Sequence, residues 1–119
     1  MAIIRITNLK LRTIIGTNDW ERDHKQDVII NVAIHYDALK AARTDSIKDT
    51  LDYKTITKKI IKKVESSNFL LLEKLTNSIL EIIVENPRAQ EASVRIDKPF
   101  ALRFADSVCV ELTKKRNGQ

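Results

Sequence analysis

The hydrophobic period of this chain changes twice, from two residues to about 3.6 and back to two. That double change confines it to a sheet interrupted by a pair of helices. Between Ile3 and Ile15 the apolar positions first alternate as Ile4 and Ile6, then shift phase to Leu9, Leu11 and Thr13. A strand with a bulge near Asn8 produces such a shift, because one inserted residue moves every later side chain to the other face. From Val28 the alternation is stricter. Val28, Ile30, Val32, Ile34 and Tyr36 share one face, with Asn31, Ala33 and His35 on the other, the pattern of a half-buried antiparallel strand.

After a polar stretch from Asp37 to Asp49, Ile56, Ile60, Ile61 and Val64 form one helical stripe, and Leu72, Leu75, Ile79, Ile82 and Ile83 form a second. Ser66-Ser67-Asn68 separates the two with cap-forming residues, and Asn86-Pro87 ends the second helix. Strand alternation then returns in Ala92, Val94 and Ile96 before Lys98-Pro99, and again in Val108, Val110 and Leu112. The order strand, strand, helix, helix, strand, strand predicts an α+β fold: a four-stranded, mostly antiparallel sheet with two helices on one face. Its two open edges need covering, and strand pairing between subunits in a ring would cover them.

At 119 residues the chain is read as one domain, 1–119, too short to enclose a deep cleft with its supporting shell. A pocket at a subunit boundary is the natural expectation. The balance of 43% hydrophobic and 31% charged residues is that of an ordinary soluble protein. No secretory signal and no run of transmembrane length is visible, which points to the cytoplasm with no membrane partner. The single Cys109 cannot form an internal disulfide and fits a reducing compartment.

The net charge of +5 raises the question of nucleic acid. Lys58, Lys59, Lys62 and Lys63 lie on the polar side of a helix, however, and Lys114, Lys115 and Arg116 near the terminus. Solvated faces account for most of them, and no nucleic-acid-binding motif accompanies them. With only Gly16 and Gly118 as glycines, no glycine-rich phosphate loop can form. His24 and His35 stand eleven residues apart without a Cys or acidic cluster, so no metal site is expected. No Gly-x-Ser-x-Gly elbow is present either.

Four positions remain as candidates, each with an ordinary alternative. Lys98 precedes Pro99, which ends the strand there, so its amine either reaches into a pocket mouth or sits exposed at an edge. Glu73 lies at the start of a helix beside the cluster Phe69 to Leu72, as a ligand anchor or a solvated first-turn carboxylate. Glu21 lies in a connection longer than a hairpin needs, as a functional group or a surface ion pair with Arg22 or another neighbour. Tyr53 stands at the entrance to the first helix, where a phenol either packs or projects into a site.

Gly16-Thr17-Asn18-Asp19-Trp20-Glu21-Arg22, Leu51-Asp52-Tyr53, Leu71-Leu72-Glu73-Lys74-Leu75 and Val94-Arg95-Ile96-Asp97-Lys98-Pro99 together resemble the dihydroneopterin aldolase and epimerase family, in order and spacing, over nearly the whole chain. Leu9 to Thr13, Tyr53 to Lys58 and Ala101 to Val108 resemble its epimerase branch more closely. The resemblance implies the tunnelling fold, subunits in rings stacked as a homo-octamer, a pterin site between neighbouring subunits, and no cofactor. It implies Glu73 as the pterin anchor with Leu72 beside it, Lys98 as general acid/base, and Glu21 and Tyr53 as side-chain and proton-transfer partners.

A pterin presents an amino group and a ring N–H side by side, a fork that a carboxylate accepts bidentately. The dihydropterin ring carries an imine next to the side-chain carbon, so it can take up electrons when the adjacent carbon–carbon bond breaks. Lys98 would move the hydroxyl proton, with burial or a nearby cation making its amine a usable base. Re-addition of the released aldehyde to its other face inverts the centre. Protonation of the enamine carbon instead lets the aldehyde go. A triphosphate on the substrate would give Lys10, Arg12, Lys54 or Arg103 a use. The rival readings are an aldolase within the family and, outside it, a non-enzymatic α+β binding module.

Overall fold

The structure, a computed structural model, describes residues 1–116; residues 117–119, with Gly118, lie outside the described residues. Strands β1 (Ala2–Thr13), β2 (Gln26–Tyr36), β3 (Glu91–Pro99) and β4 (Ser107–Lys115) form one antiparallel sheet in the order β1-β2-β3-β4. The expected bulge is present: the β1–β2 register shifts between Ile6 and Leu9, with Asn8 in a left-handed conformation at φ 54°. Asn is among the few non-glycine residues that adopt it at little cost. The Asn8 amide donates to the Asn31 side chain at 2.9 Å, so the backbone group freed by the bulge is not left without a partner.

Helices α2 (Tyr53–Glu65) and α3 (Leu72–Val84) cover one face of the sheet. Ile56, Ile60 and Val64 of α2 and Leu75, Ile79 and Ile83 of α3 meet Val28, Ile30, Val32 and Ile34 of β2 in the core, all buried. Asp52 caps α2, accepting from the amides of Lys54 and Thr55 at 3.0 and 3.2 Å. Lys58, Lys59, Lys62 and Lys63 face outward, as their spacing implies.

The stretch from Asp37 to Asp49 is more ordered than its polar sequence suggests. It forms the short helix α1 (Leu39–Thr44) and a 3-10 turn at Ile47–Asp49. None of the α1 residues is buried, so no apolar stripe marks it in the sequence. Asp49 ties it down, accepting from the Thr44 hydroxyl at 2.6 Å and lying 3.5 Å from Lys40 Nζ. Among the described residues no helix is long and apolar enough to cross a membrane.

Candidate active site

The connection from β1 to β2 folds back as a 3-10 turn, Asp19–Asp23, against the loop that joins α2 to α3. Arg22 fastens the two. Its guanidinium donates to the carbonyls of Gly16 at 2.9 Å, Phe69 at 3.0 Å and Asn68. The Gly16 amide adds a bond to the Phe69 carbonyl at 3.4 Å, and the buried Thr13 hydroxyl donates to the Ser67 carbonyl at 3.1 Å. Arg22 is therefore a backbone clamp and not the ion-pair partner of Glu21.

The clamp turns Glu21 inward, where it is buried. Its Oε1 accepts from the Asn18 amide at 3.1 Å, and its Oε2 accepts from Gln26 Nε2 at 3.0 Å and from the Lys98 ammonium. Gly16 makes room for it. With φ at 129° the backbone disfavours any L side chain, and a Cβ added there would collide with the carboxyl carbon and both oxygens of Glu21. Burial pushes the Glu21 carboxyl up, but the hydrogen bonds from Lys98, Gln26 and Asn18, with the charge of Lys98, outweigh it and hold the group at about 2 instead of 4.5.

Lys98 comes from the last turn of pleat before Pro99 closes β3. Its side chain is only 13% exposed, and that of Glu21 only 5%. The exposed-edge alternative for Lys98 does not hold. Of the two influences expected on its amine, burial is present and a nearby cation is not, for the charged neighbour is a carboxylate. Just behind it, Asp97 is kept below the usual carboxylate range. Burial opposes this, and the hydrogen bonds from Arg95 at 2.9 Å and Ser107 at 2.7 Å, with the Arg95 charge, prevail.

Glu21 and Lys98 form the charged floor of a cleft of about 450 Å³. Its opposite wall is the start of α3, where half-buried Leu72 and exposed Glu73 line the space with Leu70 and Leu71. Among the described residues Glu73 makes no ion pair, so its carboxylate is free to accept from a ligand. Four of the five expected site residues thus share one cleft. The fifth does not. Tyr53, at the first turn of α2, lines a separate depression with Ile4, Tyr36, Ile47 and Leu51.

Lys10, Arg12, Lys54 and Arg103 also lie off this cleft. Arg12 is engaged with Asp27 at 3.2 Å and the Lys25 carbonyl at 3.0 Å, and Arg103 stacks over Phe104 at 5.4 Å. Sequence reasoning missed Gln26, Arg22 and Phe100. Gln26 carries a faint signal as a polar residue at the very start of an otherwise apolar face; the other two carry none that spacing alone would expose. No group of three or more His, Cys, Asp or Glu among the described residues is placed to hold a metal.

The fold has close counterparts. The family described as FolB, dihydroneopterin aldolase, matches residues 4–113. The chain is 51% identical over 115 residues to the dihydroneopterin triphosphate 2'-epimerase of Escherichia coli K12, covering 97% of this chain and 96% of that protein. It is 48% identical over 116 residues to the protein of the same name from Pseudomonas aeruginosa, covering 98% and 94%. Among solved structures, E. coli dihydroneopterin aldolase in complex with neopterin superposes with a TM-score of 0.91 at 28% identity, covering 96% of this chain and 99% of that one. With the antiparallel sheet, the helix pair and nearly the full length matched, this chain belongs to the dihydroneopterin aldolase family.

Proposed function

We propose that the chain, as a single domain over 1–119 working in the cytoplasm without a cofactor, is an isomerase that inverts the side chain of 7,8-dihydroneopterin triphosphate to give 7,8-dihydromonapterin triphosphate. The observation that carries this reading is the buried Glu21–Lys98 pair facing an unpaired Glu73 across one cleft. Glu73 accepts the amino and ring N–H fork of the pterin while Leu72 packs beside it. The Lys98 ammonium, oriented by Glu21, gives its proton to the ring nitrogen as the neighbouring carbon–carbon bond breaks and the bonding pair enters the ring imine. The amine so formed takes the hydroxyl proton of the side chain, directly or through a water, which restores the ammonium. Rotation of the held aldehyde and reversal of these steps re-forms the bond with the centre inverted.

Tyr53 fits this chemistry as a residue supplied by a second copy. It lies off the cleft of its own chain, half exposed beside Ile47, which is 74% exposed, on a surface suited to subunit contact. Assembly in rings, stacked as a homo-octamer, would bring it to a neighbouring cleft and cover the free edges of β1 and β4. The same arrangement could bring cations to the triphosphate, since Lys98 is the one cation lining the cleft among the described residues.

The second reading, an aldolase that releases glycolaldehyde, is favoured by the likeness to the E. coli aldolase structure. The two share bond cleavage and part at the next step. Incubation with the triphosphate and with free dihydroneopterin, resolving side-chain stereochemistry and measuring aldehyde, separates them. Inversion of the triphosphate in excess over aldehyde release is the expected result. Rapid aldehyde release from the unphosphorylated compound with little inversion would move the assignment to aldolase, and neither product would end the pterin reading.

A further inference from the structure

Three non-glycine residues adopt a left-handed backbone: Asn8 at φ 54°, Asp45 at 56° and Phe100 at 60°. Asn and Asp are the residue types that tolerate this conformation, and both stand where a bulge and a helix end require it. Phe100 breaks the pattern. A bulky aromatic there is an outlier that the surrounding structure must hold in place.

The turn itself does not call for a phenylalanine. The Phe100 amide donates to the Asp106 carbonyl at 3.1 Å, which closes the β3–β4 connection through backbone atoms alone. Gly or Asn would form the same turn with less strain. Nor does the ring serve the core, for Phe100 is 87% exposed. A position that sets aside both backbone comfort and burial is a candidate for function. Its place agrees, since Phe100 follows Pro99 by one residue and lines the same cleft as Lys98, Glu21 and Glu73.

We infer that Phe100 is a ligand-contacting residue whose ring closes over the flat heteroaromatic face of the substrate once Glu73 has taken its edge. A planar, electron-poor ring offers a surface on which an aromatic side chain stacks irrespective of hydrogen bonding. The chain's exposed phenyl group then becomes buried on binding. The inference rests on the pterin reading of the cleft and adds a residue to it.

Phe100→Gly and Phe100→Asn test it together, since both relieve the backbone and remove the ring. In each, the melting temperature should hold or rise and the assembly should keep its size, while neopterin binding, followed by fluorescence quenching, weakens about tenfold. Phe100→Tyr should bind neopterin as the wild type does. Wild-type affinity in either ring-deleted variant would overturn the inference and leave the pterin reading standing. Loss of assembly in either would assign the ring to a subunit contact, which overturns it too. A wild-type protein that binds no neopterin would bring down the pterin reading and this inference with it.

Discussion

The two walls of the cleft are built on opposite plans. On the floor and the β1–β2 side, Glu21, Lys98 and Arg22 all have their partners within the chain: Glu21 accepts from Lys98, Gln26 and Asn18, and Arg22 gives its protons to three carbonyls. On the α3 side, Glu73 is exposed and unpaired among the described residues, and Tyr53 stands off the cleft altogether. The first wall is organised before any ligand arrives, so reaction geometry costs little to assemble at the moment of proton transfer. The second offers unmet valences, which is what recognition needs. On the proposed reading, chemistry falls where hydrogen bonds hold the side chains within the chain, and binding where a carboxylate is left open.

That contrast breaks most visibly at Lys98. Lys98→Ala should lower the formation of both inverted product and aldehyde by ~10²–10⁴-fold, because both follow the same bond cleavage and its proton transfer. It should also leave Glu21 buried without its cation. Removing one partner of a buried pair costs about 3–5 kcal/mol, so thermal stability at neutral pH should fall along with activity. A variant as stable as the wild type would mean that the floor of the cleft is not held by this pair.

Glu73→Ala should do the reverse. The carboxylate loses no partner within the chain, so stability should stay within about 0.5 kcal/mol, as for surface substitutions in general. Pterin affinity should fall by on the order of 10²-fold, since a charge-assisted bidentate contact disappears. Unaltered affinity in the folded variant would remove Glu73 from the anchor role. A large fall in melting temperature would show that the two walls are not built differently after all.

Acid sharpens the comparison from the first wall alone. Glu21 titrates at about 2 in the folded chain against 4.5 ordinarily. Between these values the unfolded chain binds more protons than the folded one, so stability is present in full above about 4.5 and is lost as pH falls toward 2. The loss expected from this one group is on the order of 3 kcal/mol. Urea unfolding of wild type and Glu21→Gln across that window is the measurement. The variant should show a shallower slope, with a residue from Asp97, whose value is depressed in the same direction. Parallel slopes would mean that the folded Glu21 carboxyl is not held low.

The sequence made the frame legible and the wiring much less so. Alternation located all four strands, and the phase shift located the bulge at Asn8, because a sheet face writes itself every second residue. Helix α1 escaped, since none of its residues is buried and no stripe marks it. Glu21 and Lys98 were each visible as candidates, yet their union is not, because the pair spans 77 positions and is made by the folding of a loop over a strand end. The same holds for Arg22. Beside Glu21 in sequence it looks like an ion-pair partner, whereas the turn sends the two side chains to different tasks. Phe100 was passed over since its distinguishing feature is a backbone angle, which no residue pattern displays.

The smallest effect on total turnover belongs to Tyr53→Phe, and it speaks to the second wall. The phenol is half exposed at the first turn of α2, so removing its hydroxyl should leave stability unchanged. If a neighbouring copy delivers Tyr53 to the cleft to help protonate the enamine carbon, its loss should reduce aldehyde release much more than inversion, because inversion closes the carbon–carbon bond again without that proton. A shift of about tenfold or more in the ratio of inverted product to aldehyde is expected, within the range of general acid catalysis, with the overall consumption of triphosphate little altered. Equal loss of both products would instead assign Tyr53 to the shared first step. Mixed assemblies decide whether it acts across a subunit boundary. Chains carrying Lys98→Ala and chains carrying Tyr53→Phe, unfolded together and refolded, should regain part of the wild-type aldehyde release, because some clefts then receive an intact lysine from one chain and an intact tyrosine from the other. Aldehyde release no greater than the sum of the two separate variants would show that both residues serve the cleft of a single chain.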